Sequence, residues 1–433
     1  MISSKKLNKN IAIIENVIFV AAFAFIMYKM LSTYGLYIYQ SIKGKGYLGA
    51  IVDPLYKHQY YLSAVSVIII LNATFLLWEI LSFIVKLLKE EKAISSRGYP
   101  KFKSIFKQVA VYYKSSFLAL LIHELLPKLV LLQWLWILMP HFQKLQLFTV
   151  DLSWYSWIYG YLLWELSSWL FHFSSHRVRF LWCLHSPHHA PTELNMTVNW
   201  IHFFAEGYYS TFVFLVIFTL FGINPIMVIA IVSIDSAWGI FIHVSERALR
   251  DGRLGVLRHL IITPSHHRVH HAKNPLYLDT NFANVLPVWD WVMGTLQPIR
   301  EEVKTEYGIS RELDVTDFSD LYFGELLLLF RDVKNVAGLK NKVLYILMPP
   351  GWHPESKANT AAVLRQQFLQ LNPSLGITSK QKFFITLRAP FRRYKLEAEA
   401  VDLPEQGIIE VKKGPANNKH PLLKTETKKA FPL

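Results

Sequence analysis

Apolar residues fall in long blocks along this chain, separated by short basic or polar segments. A helix crossing a bilayer needs about 20 largely apolar residues, and several stretches approach that pattern. The first runs from about Ile11 to Leu31, with Glu15 near its start. It has no short apolar core followed by a small-residue cleavage site, so it reads as an anchor and not as a removed signal. The second runs from about Leu62 to Leu88, with Trp78 and Glu79 near its inner end. A third and weaker stretch, Ser116 to Met139, contains His123, Glu124 and Lys128 and must pack against protein or lie partly in the interface. The fourth runs from about Trp154 to Phe173. The last, Tyr208 to His243, is too long for one span; Gly222, Asn224 and Pro225 break it, which predicts a helical hairpin.

From about Glu301 onward the pattern is mixed, with short amphipathic pieces such as Leu321 to Phe330 and Lys342 to Met348. The final segment, with Lys412, Lys413, Lys419, Lys424, Lys428 and Lys429, reads as a solvated tail. The expected organisation is therefore residues 1–150 as N-terminal transmembrane helices with a basic loop, 151–300 as the catalytic domain, and 301–433 as a C-terminal extension.

Composition supports the membrane assignment. Of 433 residues, 52% are hydrophobic and only 18% charged, and 46 Lys+Arg against 31 Asp+Glu give +15. Such a chain has too many apolar residues to be disordered. Cys183 is the sole cysteine, which excludes a disulfide framework. The basic excess suits an anionic membrane face as readily as nucleic acid, and the apolar blocks decide for the membrane, so no nucleic-acid partner is expected. Lys5, Lys6 and Lys9, the run from Lys86 to Lys107, and the region after His243 are all basic; four spans and a hairpin place all three in the cytoplasm.

Histidine changes the picture. Most of the 17 lie between His172 and His271, a window where an even spread would place about four. They come in sets: His172 and His176 as H-x3-H, His185, His188 and His189 as H-x2-H-H, and His267, His270 and His271 as H-x2-H-H again, with His266 adjacent and His243 upstream. On a helix, residues four apart are offset by about 40° and residues three apart by about 60° the other way. Each set therefore aims its rings at one point, while the neighbour in an H-H pair lies about 100° away and can reach a second metal. Eight or more imidazoles exceed the four ligands of one tetrahedral zinc. They suit two transition-metal ions with open positions, and without interleaved Cys an iron–sulfur cluster is excluded. The expected ligands are His172, His176, His185, His188, His189, His243, His267, His270 and His271, with His202 and His266 as additions. His58, His123, His141, His353 and His420 read as surface or packing residues, and His259 lies between the sets without their spacing.

These motifs resemble the fatty acid hydroxylase/sterol desaturase superfamily, in particular its alkylglycerol monooxygenase-like members. The resemblance rests on Glu165 seven residues before His172, on H-S-P-H-H followed by Glu193-Leu-Asn195, and on T-P-S-H-H-R-V-H-H from Thr263 to His271. It rests further on D-T-N-F, on W-D-W-V-M-G-T-L ending at Leu296, and on P-P-G-W ending at Trp352. It implies an all-α integral membrane protein, with four to six membrane-embedded helices and a cytoplasmic-side helical histidine-box cap. It implies two non-haem iron ions and an O2-dependent hydroxylation of an alkyl, acyl or ether-lipid C–H bond, with lipid desaturation as the alternative. The partners implied are a lipid in the membrane, O2, and an electron-donor protein or diffusible reductant, tetrahydropterin among the candidates.

Catalytic roles are implied for Glu165, on the helical face of His172 and able to bond the far nitrogen of a ligand, and for Asn195. Asp279, Asn281 and Asp290 are expected as polar scaffolding around the last box, and Asp235 is as readily structural as functional. Arg177 stands where the alkylglycerol monooxygenase-like pattern has an acid. The location implied is the cytoplasmic membrane in a bacterium or the endoplasmic reticulum in a eukaryote, with the boxes facing the cytoplasm. A metal transporter would place its ligands near mid-bilayer in repeated halves; here the boxes fall at span ends, without repeats.

Overall fold

The computed structural model describes residues 59–94, 102–120, 122, 141, 144–151, 153–223, 225–313, 317–356 and 359–375. Among them the regular structure is helical, and β pairing is limited to two isolated bridges, Ala272 with Tyr307 and His353 with Ser356. The helices are α1 (Gln59–Ile94), α2 (Phe102–Ala119), α3 (Trp154–Arg177), α4 (Arg179–His189), α5 (Glu206–Leu220), α6 (Pro225–Ile242), α7 (Pro264–His270), α8 (Val288–Met293), α9 (Phe318–Asn335), α10 (Leu339–Leu347) and α11 (Ala361–Leu371). Two 3-10 turns, Met196–Trp200 and Gly255–His259, join them.

The hairpin expected in 208–243 is present as α5 and α6, broken where Gly222 takes φ +68° and Pro225 opens the second helix. The amphipathic pieces near 321–330 and 342–348 lie on α9 and α10. The expected anchor at 11–31, most of the stretch 116–139 and the basic tail lie outside the described residues. Among the described residues no helix is both long and apolar enough to cross a membrane, so the expected four to six embedded helices are not seen as such. The physical reason is visible in the helices themselves. The α5 helix has 15 residues, a rise of about 22 Å against a hydrocarbon core of about 30 Å, and α3 carries Glu165, His172 and His176 within its length.

The α3–α4 joint sets the site. Val178 is extended (φ −117°, ψ 118°) and serves at once as the end of α3 and the start of α4. A one-residue joint leaves α4 no freedom to swing away, so its histidines fold back over those of α3. Pro187 is accommodated inside α4, which ends at His189, and Pro191 follows just beyond the Ala190 cap, where proline cannot donate a helical hydrogen bond. The α3 helix is fixed from its other face by α5 and α6. Trp164 stacks on Phe214 at 4.5 Å and on Phe218 at 5.3 Å. Gly160 lets α6 approach so closely that a Cβ there would lie 2.6 Å from the Met227 methyl.

Two buried polar residues tie the remaining segments down. Glu79 of α1 accepts from the backbone N–H of Met196 at 2.8 Å and of Ser245 at 2.9 Å, so one carboxylate pins both the turn after the second box and the loop after α6. Arg268 is fully buried on α7 and donates to the carbonyls of Val244, Leu249 and Arg250. Gly252 (φ +61°) is required beside it, since a Cβ would meet the guanidinium at 2.6 Å.

Candidate metal centre

The boxes converge. His172, His176, His185, His189 and His270 bring ring nitrogens within 4.8 Å of one another, and so do His188, His243, His267 and His271. Eight of the nine rings are buried and His172 is half-buried. Each H-x2-H-H set is dealt across both groups: α4 gives His185 and His189 to the first and His188 to the second, while α7 and its cap give His270 to the first and His267 and His271 to the second. The two groups abut, with His189 stacked on His271 at 4.4 Å.

Hydrogen bonding at the outer nitrogens shows what the inner ones offer. His172 Nδ1 meets the Phe282 carbonyl at 2.9 Å and His185 Nδ1 meets Glu206 Oε1 at 2.6 Å; both oxygens only accept, so both Nδ1 atoms carry the proton. A neutral imidazole then has a bare lone pair on Nε2. Yet the Nε2 atoms of His172 and His185 lie 3.1 Å apart. The second group repeats this: His188 Nδ1 donates to Val198 O, His243 Nδ1 donates to Gly239 O, and their Nε2 atoms face each other at 3.1 Å. Burial and neighbouring imidazoles push the His188, His189, His267 and His271 rings well below the ordinary histidine range, so they stay neutral. Converging lone pairs repel unless a cation lies between them. His176 Nε2 and His270 Nε2 are likewise buried without a hydrogen-bond partner.

The spacing tests which kind of ion fits. The facing Nε2 pairs are 3.1 and 3.2 Å apart in the first group and 2.8, 3.0 and 3.1 Å in the second. Two nitrogens about 2.1 Å from one ion are about 3.0 Å apart at right angles and about 3.4 Å apart at the tetrahedral angle. The edges fit right-angled coordination, the geometry of five- and six-coordinate ions with an open position, better than a closed tetrahedral site.

The segment 279–283 holds the first group in place. The Thr280 carbonyl takes His270 Nδ1 at 2.8 Å and the Phe282 carbonyl takes His172 Nδ1. Asn281 between them is left-handed (φ +58°), a conformation asparagine tolerates, and its side chain bonds His266 O, Gln297 O and Gln297 N. Asp290 anchors the same segment, accepting from Phe282 N, Ala283 N, Trp169 Nε1 and Thr295 Oγ1. Asp279 lies 3.6 Å from His176 Nδ1, too long for a hydrogen bond, and 3.3 Å from Arg177 Nε. Burial raises its carboxyl above the usual value while Arg177 and Arg365 pull it down.

Several residues expected in the site stand elsewhere. Glu165, expected to bond the far nitrogen of a ligand, accepts from Leu286 N at 3.0 Å, and the outer nitrogen of His172 on its helical face is taken by Phe282 O. Asn195 caps the 196–200 turn through Thr197 N and donates to Tyr112 Oη, so it touches no histidine of either group. His266 sits in neither group. It is the third residue of a capping box, where its Nδ1 accepts from Thr263 N, and burial lowers its ring to about 4. His202 stacks on His188 at 4.3 Å and forms, with His185 and Glu206, a third set of converging donors.

Glu206 is the residue that sequence reasoning missed. Its Oε1 takes His185 and its Oε2 takes His202 at 2.8 Å, so one carboxylate holds a ring of the first group and the ring stacked against the second. Burial alone would raise its pKa, but His202 and His185 outweigh burial and hold it far below the usual carboxylate value. The signal was present: His202 and Glu206 are four apart, one helical turn, as the α5 helix begins.

Residues 157–295, which carry every one of the nine converging histidines, match the family model described as fatty acid hydroxylase. The likeness to the fatty acid hydroxylase family thus lies over the histidine-bearing part of the chain. The chain is similar to the alkylglycerol monooxygenase of Xenopus tropicalis, 28% identical over 208 residues that cover 47% of this chain and 45% of the relative. The alkylglycerol monooxygenases of Danio rerio and Homo sapiens are also 28% identical, over 47% of this chain and 44% and 43% of their own lengths. The chain thus spans less than half the length of these relatives. No solved structure matches it.

Proposed function

We propose that this fatty acid hydroxylase domain is a membrane-bound, non-haem di-iron enzyme that hydroxylates an alkyl, acyl or ether-lipid C–H bond with O2. The observation that carries the reading is the pair of abutting all-imidazole clusters, each with lone-pair nitrogens facing one another about 3 Å apart at right-angle spacing. His172, His176, His185, His189 and His270 would hold one ion, and His188, His243, His267 and His271 the other. Imidazole suits iron among other metals, and iron bound there would supply O2 activation, one oxygen atom ending in the lipid as hydroxyl and the other leaving as water with electrons and protons from an outside donor.

The protein's share of the chemistry is positioning and exclusion. The carbonyls of Thr280, Phe282, Val198 and Gly239 and the Glu206 carboxylate fix the tautomers of His270, His172, His188, His243 and His185, so the Nε2 atoms of these five rings are bare before an ion arrives. Burial of the rings keeps bulk water from the reacting atoms. A partner protein or a diffusible reductant would deliver the electrons. The apolar hairpin α5–α6 and the apolar part of α1 would place the cap against lipid, as the hydropathy pattern predicts.

The test is incubation of the iron-loaded full chain with alkyl-, acyl- and ether-lipid substrates under heavy-isotope O2 and an artificial reductant. Heavy oxygen in a hydroxylated lipid product is the expected result. A new double bond without label would replace hydroxylation by desaturation. An iron-loaded chain with reductant that leaves every lipid class unchanged would contradict the reading.

A further inference from the structure

The C-terminal pair α9 and α10 lies beyond the residues that match the family and plays no part in holding the histidines. Both helices pack on α4: Tyr322 of α9 clusters with Leu184, Arg179 at the start of α4 lies 5.3 Å over the Tyr345 ring of α10, and Arg179 N donates to Met348 O at 3.0 Å. Their outer faces carry what an inner face usually carries. On α9, Phe323, Leu327 and Phe330 are exposed at positions i, i+4 and i+7; on α10, Leu339, Val343 and Leu347 are exposed at i, i+4 and i+8. Leu327 and Phe330 show 63% and Leu339 79% of their surface. These are single helical stripes, and six large apolar side chains facing outward on neighbouring helices mark an interaction surface.

Charge and continuity say what covers it. All three acids of α9 are held by arginines: Asp332 by Arg179 at 2.5 Å, and Asp320 and Glu325 by Arg311 at 2.9 and 2.7 Å. The α10 helix has no acid. Arg331 shares Asp332 with Arg179 at 3.8 Å, whereas Lys334 and Lys340 are exposed and Lys342 half-buried, so the unneutralised charge along the stripes is positive. The α9 stripe also runs into the apolar hairpin: Phe323 packs on Phe203 at 5.6 Å, Tyr322 Oη accepts from Phe204 N, and the exposed Phe204 precedes α5, whose Phe212 is exposed too.

We propose that α9 and α10 form an in-plane docking face for an anionic lipid bilayer, their apolar stripes entering the acyl boundary and their lysines meeting phosphate headgroups. Apolar residues flanked by Lys and Arg are the signature of helices that lie in the membrane interface. This goes beyond the oxidation chemistry and does not depend on it.

The experiment places an environment-sensitive dye at Leu327→Cys and, in a separate chain, at Val343→Cys, with Glu301→Cys as the exposed control; the native Cys183 is buried. The full chain is reconstituted into phosphatidylcholine vesicles with or without phosphatidylglycerol, and quenching by spin-labelled lipid is read. Quenching at 327 and 343 about twofold or more above that at 301, enhanced by phosphatidylglycerol, is expected. A Lys334→Glu/Lys340→Glu/Lys342→Glu variant should lose the phosphatidylglycerol enhancement. Quenching equal to the control at both sites overturns the proposal. So does a dye shielded from quencher lipid in proportion to protein density, which would make a second copy of the chain the occupant. Metal content and lipid oxidation are read on the same samples, so a failed oxidation reading and a failed docking face are separate results.

Discussion

The two histidine clusters are built from the same spacing but held by different means. In the first, the rings of His172 and His270 hang on the carbonyls of one loop, 280–282, and His185 hangs on Glu206. In the second, His243, just past α6, bonds the carbonyl of Gly239 in the last turn of that helix, and His188 bonds a 3-10 turn. The anchored rings of the first cluster therefore depend on tertiary contacts that single substitutions can remove, whereas His243 and His188, the anchored rings of the second, rest on nearby backbone carbonyls. Identical H-x2-H-H sets acquire different sensitivities because the outer nitrogen of each ring meets a different partner.

The largest expected effect comes from the loop anchor. Asp290→Ala strips the acceptor from four buried donors, a cost of at least about 3 kcal/mol, and it should lower the thermal midpoint and loosen the first ion before the second. Calorimetry with metal analysis on the same sample checks this; equal loss of both ions would break the comparison. Glu206→Gln comes next. An amide cannot accept from both His185 and His202, so metal affinity or activity should fall about 10–100-fold, read by competition with a chelator. Because the carboxylate also fixes the ring stacked on His188, both clusters should respond, the first more strongly.

The pH response follows in size. His270 and His266 are lowered to about 3 and about 4 by burial, so the folded metal-free protein resists protons that the unfolded chain takes up near 6.5. A histidine with a depressed folded pKa stabilises the fold above its unfolded value, and that contribution is lost as pH falls. The thermal midpoint of the metal-free chain should thus decline from about pH 6.5 toward pH 4, followed by differential scanning calorimetry, and bound metal should blunt the decline at the ligand His270 but not at His266. The smallest effect belongs to His266→Ala. It removes half of a capping box, worth about 1 kcal/mol, and should leave metal content unchanged; loss of an ion would return His266 to the ligands.

Much of the centre was legible because side-chain spacing on helices is a property of sequence. The two H-x2-H-H sets, His172 with His176, and the break at Gly222 and Pro225 are all readable from the chain alone. What was not legible is what any residue could supply. Every residue has a carbonyl, so nothing marks Thr280, Phe282, Val198 and Gly239 as ring anchors. His266 was misjudged because a histidine at the third position of a capping box looks, in sequence, like one more member of T-P-S-H-H. Glu165 has the helical offset to reach His172, but the 279–283 loop arrives first and Glu165 turns to Leu286 N. Glu206 escaped because it begins an apolar helix and resembles a boundary charge, although its four-residue spacing from His202 was available. Hydropathy blocks likewise overstate the helices: α5 ends at Leu220 because the chain turns at Gly222, not because the apolar run ends.

The most direct test of two clusters, each holding one ion, is metal content per chain of the anaerobically purified full protein beside His176→Ala and His267→Ala variants. Two irons in the parent, with one lost in each single variant, is the result predicted, since His176 belongs only to the first group and His267 only to the second. One ion per parent chain, or metal content indifferent to both substitutions, would contradict the account.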